Sequence, residues 1–271
     1  MKKSFKKAPK GVDTILAKGE TDELKFDDTS DKNLRYIGAN PNNYVKFNNE
    51  LWRIIGVFNN VKDENNNIAS RIKIIKVVPY STDIKWDTNV TNNWETASLQ
   101  SELNTTYYES IEENSKNMID TVLWYISYSY LASNPYQVYF WERNNYYDVN
   151  TREVPKWTGK IALMHLSDYG YATSGGSGTD RDTCLDTELS DWSSVSDCYT
   201  NNWLYSNTYY QWTLTPYYNY APSSSVFTIT TSGMAVSGDY GTTASPVLYL
   251  DENIKFTGGD GSESNPFTLS L

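Results

Sequence analysis

His165 is the only histidine in the chain, and it stands beside Ser167 and Asp168 in the run MHLSD. A Ser–His–Asp nucleophile needs side chains that converge on one reacting atom, with an oxyanion hole beside them. Three near neighbours in an apolar run do not converge, so His165 reads as a satisfied structural histidine. The acidic pairs Asp180/Asp182 and Asp186/Glu188 have the right chemistry for a cation. They lack the alternating order of a calcium loop and read as solvated loop charges. Asp260, in GGDGSES, reads as a turn residue first and a cation ligand second. The loop at Gly175, Gly176 and Gly178 has neither the lysine nor the following helix of a phosphate cradle; it reads as a flexible surface loop. No catalytic residue, metal ligand or cofactor is assigned from these residues.

Two cysteines occur, Cys184 and Cys198. Their spacing does not suit a zinc knuckle, and His165 lies well upstream. A disulfide closing a loop of about 15 residues, worth roughly 3 kcal/mol in the chain-entropy account, is favoured over two free thiols. Such a bond implies work outside a reducing cytosol. The remaining chemistry is recognition. The segment 209–250 is dense in Tyr, Asn, Ser and Gly, and Tyr209, Tyr210, Trp212, Tyr217, Tyr218, Asn219, Tyr220 and Tyr240 form its candidate ligand-binding set. Rigid rings beside adaptable hydrogen-bonding side chains make up a surface of the paratope kind. Against that stands local packing of the same rings with no ligand. Alternation in YYQWT puts Tyr210 and Trp212 on one face and Tyr209 on the other. With Trp212 in the core, Tyr217, Tyr218 and Tyr220 become the exposed rings.

Composition narrows the partners. There are 23 Tyr and 9 Trp against 8 Phe, and the formal net charge is −10. The tyrosine and tryptophan excess suits sheet faces and carbohydrate- or protein-binding surfaces alike. An acidic surface repels phosphates and anionic lipid, so nucleic acid is not an expected partner. No apolar run reaches the roughly 18 residues of a membrane span, and no apolar stretch follows the basic head as in a signal peptide. Membrane insertion by these residues is not expected; an export signal or anchor would lie outside them.

The elements that must position these residues follow from patterning. Residues 1–33 are charged and poor in aromatics, with Lys2, Lys3, Lys6, Lys7 and Lys10 at the head; they read as a flexible tail or linker. The domain spans 34–271. It opens with a strand at Leu34–Ile37 and a three-stranded meander of Tyr44–Phe47, Leu51–Phe58 and Arg71–Val78, turned at Asn48-Asn49-Glu50. Leu99, Leu103 and Tyr107 share one helical face, and Ser115–Tyr125 reads as a second short helix. Gln137–Trp141 is open between strand and helix, and Trp157–Leu166 reads as a strand. Gln211–Thr215, Val226–Thr230 and Val247–Leu250 read as a small antiparallel sheet, with one face of VFTIT buried. A terminal hairpin joins Ile254–Phe256 to Phe267–Leu271, its last strand meeting an early one.

YIGANPNNYVKFNNELWRIIGVF, ASLQSELN, WTGKIALMHLSDYGYATSGG, the two cysteines, YQWTLTP, SPVLYL and GGDGSESNPFTL together resemble an uncharacterised domain of exported, cell-surface proteins of Gram-positive gut bacteria, several with prepilin-like or membrane-anchored N-termini. The element order is also similar to the C-type-lectin-like fold, shared by formylglycine-generating enzymes and the variable proteins of diversity-generating retroelements. The resemblance implies an α+β, C-type-lectin-like domain with a ligand surface on the loops around 209–241. The sugar-binding motifs of calcium-dependent lectins are missing, which leaves open whether calcium is bound at the usual place, and no catalytic role is carried over to the cysteines, because Cys184 and Cys198 precede the WTLTP run. The expected function is non-enzymatic binding of a glycan or protein ligand, extracellular or at the cell surface. The alternative is a structural, pilin-like or stalk module that assembles with neighbouring subunits.

Overall fold

The computed structural model describes residues 9–127, 129, 133–144, 154–217, 225–231, 233–237 and 240–271, with side chains left aside at 233–237. In chain order, α1 (Gly11–Leu16) and β1 (Leu24–Phe26) precede β2 (Leu34–Tyr36), β3 (Tyr44–Phe47), β4 (Glu50–Lys62), β5 (Ile68–Lys76) and β6 (Ser81–Ile84). A helical stretch follows: α2 (Ser98–Glu102), a π-turn at Leu103–Tyr107, α3 (Tyr108–Ser110) and α4 (Glu113–Lys116). Next come β7 (Val122–Tyr125), α5 (Pro135–Arg143), β8 (Lys156–Gly159), β9 (Ile161–Ala162), α6 (Leu166–Tyr171), α7 (Arg181–Asp186) and α8 (Ser196–Thr200). The chain closes with β10 (Gln211–Pro216), β11 (Val226–Thr230), β12 (Gly233–Ser237), β13 (Thr242–Ala244), β14 (Val247–Tyr249), β15 (Lys255–Gly258) and β16 (Thr268–Ser270).

The architecture is α+β, with mostly antiparallel sheets and few, short helices. A seven-stranded sheet runs β1-β2-β4-β5-β14-β9, with β3 also paired to β4. The meander is present as patterning predicts. Asn48 and Asn49 both take positive φ (53° and 56°) in its first turn, a conformation asparagine tolerates. Ile54 to Phe58 are buried on both faces, in the centre of this sheet. At Gly56 a Cβ would come within 2.4 Å of the Leu34 carbonyl oxygen, so only glycine admits β2 this closely.

A second, five-stranded sheet runs β12-β11-β10-β13-β6. The expected small antiparallel sheet of β10, β11 and β14 is corrected here. β14 belongs to the large sheet, paired with β5 and β9, and β10 meets β13 in parallel. Nor does β11 keep one wet face, since all five residues are buried. Its polar positions are threonines, and in the neighbouring β10 the Thr213 hydroxyl donates to the Phe227 carbonyl at 2.7 Å. A hydroxyl satisfied in this way tolerates burial. The chain passes between these two sheets four times, from β5 to β6, β6 to β9, β9 to β10 and β13 to β14, and the two share one core. Trp52, Trp86, Trp94, Trp124, Trp192 and Trp212 are buried in it.

Three further expectations change. The strand expected over Trp157–Leu166 is instead β8, β9 and the N-terminus of α6, because the Asp168 carboxylate accepts the His165 backbone N–H at 2.9 Å and starts a helix there. The helix expected over Ser115–Tyr125 ends at Lys116. Val122–Tyr125 alternates buried and half-buried positions as β7 and pairs with β8. Gln137–Trp141 lies within α5, capped by Asn134 with Pro135 in the first turn. Residues 10–33 are no flexible tail: Val12, Ile15 and Leu24 sit in the core and β1 pairs with β2. Few aromatics in that stretch hid three well-placed aliphatic anchors. Phe267 pairs with β3, so the last hairpin does meet an early strand. Among the described residues no helix is long and apolar enough to cross a membrane.

Candidate functional site

Where the two sheets part, a cleft of about 530 Å³ opens. The large sheet contributes Arg53 of β4 and the end of β5. The small sheet contributes Gln211 of β10, and the loop 201–209 after α8 forms the opposite wall with Trp203, Tyr205 and Tyr209. Each part is held before any ligand arrives. The Trp203 indole N–H donates to the Tyr36 carbonyl at 2.9 Å, and the Arg53 guanidinium lies 4.5 Å from the Trp203 ring centroid and 4.4 Å from that of Tyr44. Arg53 Nε donates to Asn43 Oδ1 at 2.7 Å. Asn202 ties the loop to α6 by donating to the Tyr169 carbonyl at 2.7 Å, and its Oδ1 accepts Leu204 N–H at 3.0 Å. The Tyr205 hydroxyl donates to the Thr231 carbonyl at 2.7 Å. The cleft therefore presents fixed ring surfaces beside amide and hydroxyl groups (Asn207, Ser206, Gln211).

Cys184 of α7 and Cys198 of α8 form a disulfide. It fastens the helix whose last residue, Thr200, already lines the cleft. The glycine loop that precedes α7 is also pinned rather than free: Asp197 of α8 accepts Gly178 N–H at 2.7 Å and Thr179 N–H at 2.8 Å. Asp180 caps α7, accepting Thr183 N–H at 2.8 Å. Asp260 accepts Ser262 N–H at 2.9 Å inside the last turn. Among the described residues no group of three or more His, Cys, Asp or Glu side chains converges to hold a metal ion.

Of the candidate tyrosine set, Tyr209 lines the cleft together with Gln211, one strand period along. Trp212 is core, its indole N–H bonded to the Ile84 carbonyl at 2.8 Å. Tyr210 and Tyr240 are exposed, at 39% and 51%, and neither lines the cleft. Tyr217 is not an exposed ring: its backbone pairs with Ser225 and its ring packs edge-on against Phe227 at 5.4 Å. Tyr218, Asn219 and Tyr220 lie outside the described residues. The patterning missed Trp203 and Tyr205, although NNWLYSN carries the same ring-and-amide signature a few residues upstream.

Beneath the sheets lies an ionic cluster that patterning missed entirely. Arg35 donates to Asp27 at 3.0 Å and to Asp168 at 2.7 Å, and Lys73 donates to the other Asp168 oxygen. All four side chains are at most 1% exposed. Burial would raise the Asp168 carboxyl, but Lys73 and Arg35 outweigh it and hold it well below the ordinary range. Burial pulls the Lys73 ammonium down to about 8, with Asp168 opposing. His165 Nδ1 lies 3.1 Å from Lys73 Nζ, and Nε2 donates to the Tyr125 carbonyl at 2.8 Å. Ser167 is occupied as well, its hydroxyl donating to the buried Glu142 at 2.5 Å. Burial raises the Glu142 carboxyl. Both ring nitrogens and the serine hydroxyl are thus committed to protein partners, and none of the three residues lines the cleft.

Comparison with known proteins finds no matching protein family, no matching curated protein and no matching solved structure.

Proposed function

We propose that this chain is a non-catalytic ligand-binding domain, C-type-lectin-like in arrangement, that works outside the cell or at its surface and takes a glycan into the cleft between the two sheets. The observation that carries this reading is the cleft wall itself: Trp203, Tyr205 and Tyr209 stand beside Asn207, Ser206 and Gln211, around Arg53. Sugars present an apolar face and a rim of hydroxyls. A site for them combines ring surfaces with amide donors and acceptors, and prior fixing of those groups lowers the ordering cost of binding. The Cys184–Cys198 bond supports an oxidising location. The committed state of His165 and Ser167 supports a binding rather than a hydrolytic role.

A glycan array followed by titration calorimetry on its best ligand tests this. The double substitution Tyr205→Ala/Tyr209→Ala should weaken binding at least about tenfold, as truncation of anchoring rings does, and Tyr209→Ala alone, which leaves the Tyr205–Thr231 bond in place, should weaken it in the same direction. Absence of any glycan ligand, or a variant that binds as the wild type does, would overturn the reading.

A further inference from the structure

A second pocket, of about 250 Å³, lies away from the cleft, between β4, α5 and β14. At about 30 Å³ per water it holds some eight waters, room for one small ring and not for an oligomer. On α5, Tyr136, Phe140 and Arg143 recur at helical spacing and face this pocket, while Val138, Tyr139 and Glu142 are buried against the core. Tyr136 and Phe140 are 45% and 48% exposed and stand one helical turn apart, so their rings form one accessible surface beside the pocket. The helix beneath them is firmly seated. The buried Glu142 carboxylate accepts the Ser167 hydroxyl at 2.5 Å, Ser167 N–H at 3.1 Å and the Thr215 hydroxyl at 2.7 Å.

Arg143 is the pocket's distinctive group. Its guanidinium stacks 3.4 Å from the Tyr139 ring centroid, which fixes its plane. Its carboxylate neighbours are distant: Glu142 at 3.5 Å and Asp31 at 4.0 Å, well beyond the roughly 2.7–2.9 Å of a strong charge-assisted bond. Asp31 is engaged elsewhere, accepting the Tyr139 hydroxyl and Asn60 Nδ2. Lys62 adds a second cation to the wall. A planar, oriented guanidinium with loosely held partners suits a bidentate acceptor such as a carboxylate. Exposed rings and the Asn60 amide beside it suit a polyol ring.

We propose that this pocket binds a sugar acid, a single pyranose ring bearing a carboxylate, with Arg143 gripping the carboxylate and Tyr136 and Phe140 covering the ring. The site is independent of the glycan cleft. Titration of the whole chain with glucuronic acid, glucose and acetate at matched ionic strength tests it. Glucuronic acid should bind at least tenfold more tightly than either of the others. Arg143→Gln should remove that preference, and Tyr136→Ala/Phe140→Ala, at exposed positions that leave the fold intact, should weaken glucuronic acid by a comparable factor. Tyr205→Ala/Tyr209→Ala should leave it unchanged, so this site and the cleft fail or succeed separately. Equal binding of glucuronic acid and glucose would overturn the proposal. So would acetate binding as tightly as glucuronic acid, or a Tyr136/Phe140 variant that binds as the wild type does.

Discussion

A carbonyl oxygen can only accept a hydrogen bond, so the Tyr125 contact places the proton of His165 on Nε2 and leaves Nδ1 to accept from Lys73. A second proton on Nδ1 would face an ammonium. Burial, and then Lys73, therefore hold the His165 ring well below its ordinary value. In the unfolded chain the same ring takes a proton near pH 6.5. Below that pH the unfolded state binds more protons than the folded one, and stability falls as pH falls, by up to about 1.4 kcal/mol per pH unit. Glu142, raised by burial, takes its proton earlier in the folded state and works in the opposite direction. Calorimetry at pH 7 and pH 5 should show the wild-type midpoint falling more than that of His165→Gln, whose amide can replace both contacts. Equal falls would refute this account. At this scale the sequence was informative about local chemistry only. The structural reading of His165 rested on an expected strand, whereas the fold places it at the start of α6 with both ring nitrogens bonded. That Lys73 and Asp168 would meet across 95 positions did not follow from spacing, and RIKIIK gave no sign that its second charge points into the core rather than at water.

Elements were legible where one signal dominated. The meander and its Asn-Asn turn followed from alternation and turn chemistry. Val122–Tyr125 misled because apolar residues at helical spacing also alternate at strand spacing over so short a run, and pairing with β8 decided between them. In MHLSDYGY the strand-like start was overridden by a cap three residues on, and Gly170 lets α6 approach Pro135, where a Cβ would sit 2.8 Å from the ring. The α7–α8 disulfide ties two short helices that Asp197 of α8 also links through the loop before α7. Removing it by Cys184→Ser/Cys198→Ser should cost about 3 kcal/mol for a loop of this length. It should also weaken glycan binding, since α8 leads straight into the cleft wall. Denaturant titration and binding on the same variant measure both, and unchanged stability would refute the structural role given to the bond.

Taken whole, the two larger of the four sheets among the described residues share a core, and the early residues belong to that core. Composition suggested otherwise because charge and scarce aromatics dominate residues 1–33, whereas what counts is where Val12, Ile15, Leu24 and Asp27 land. Asp27 matters most: without it Arg35 keeps a buried charge with one partner fewer. A chain that starts at Leu34 should therefore lose cooperative unfolding and become protease-sensitive, a result that circular dichroism melts and limited trypsin digestion would show. An unchanged melt would mean that these early residues are dispensable. The mixed pattern of strand and short-helix runs pointed correctly to an α+β scaffold. It could not show that a cleft would open between the sheets beside Trp203 and Tyr205, because that depends on how far the sheets diverge.

Lys10 bridges to Lys255, and Lys255 pairs in turn with Ser270, so the segment before α1 and the last strand meet at one margin of the fold. Tension applied between those ends would load that margin first, and Phe267 links it onward to β3 of the large sheet. A domain tethered at both sides would meet load first at these outer bridges, before its buried core.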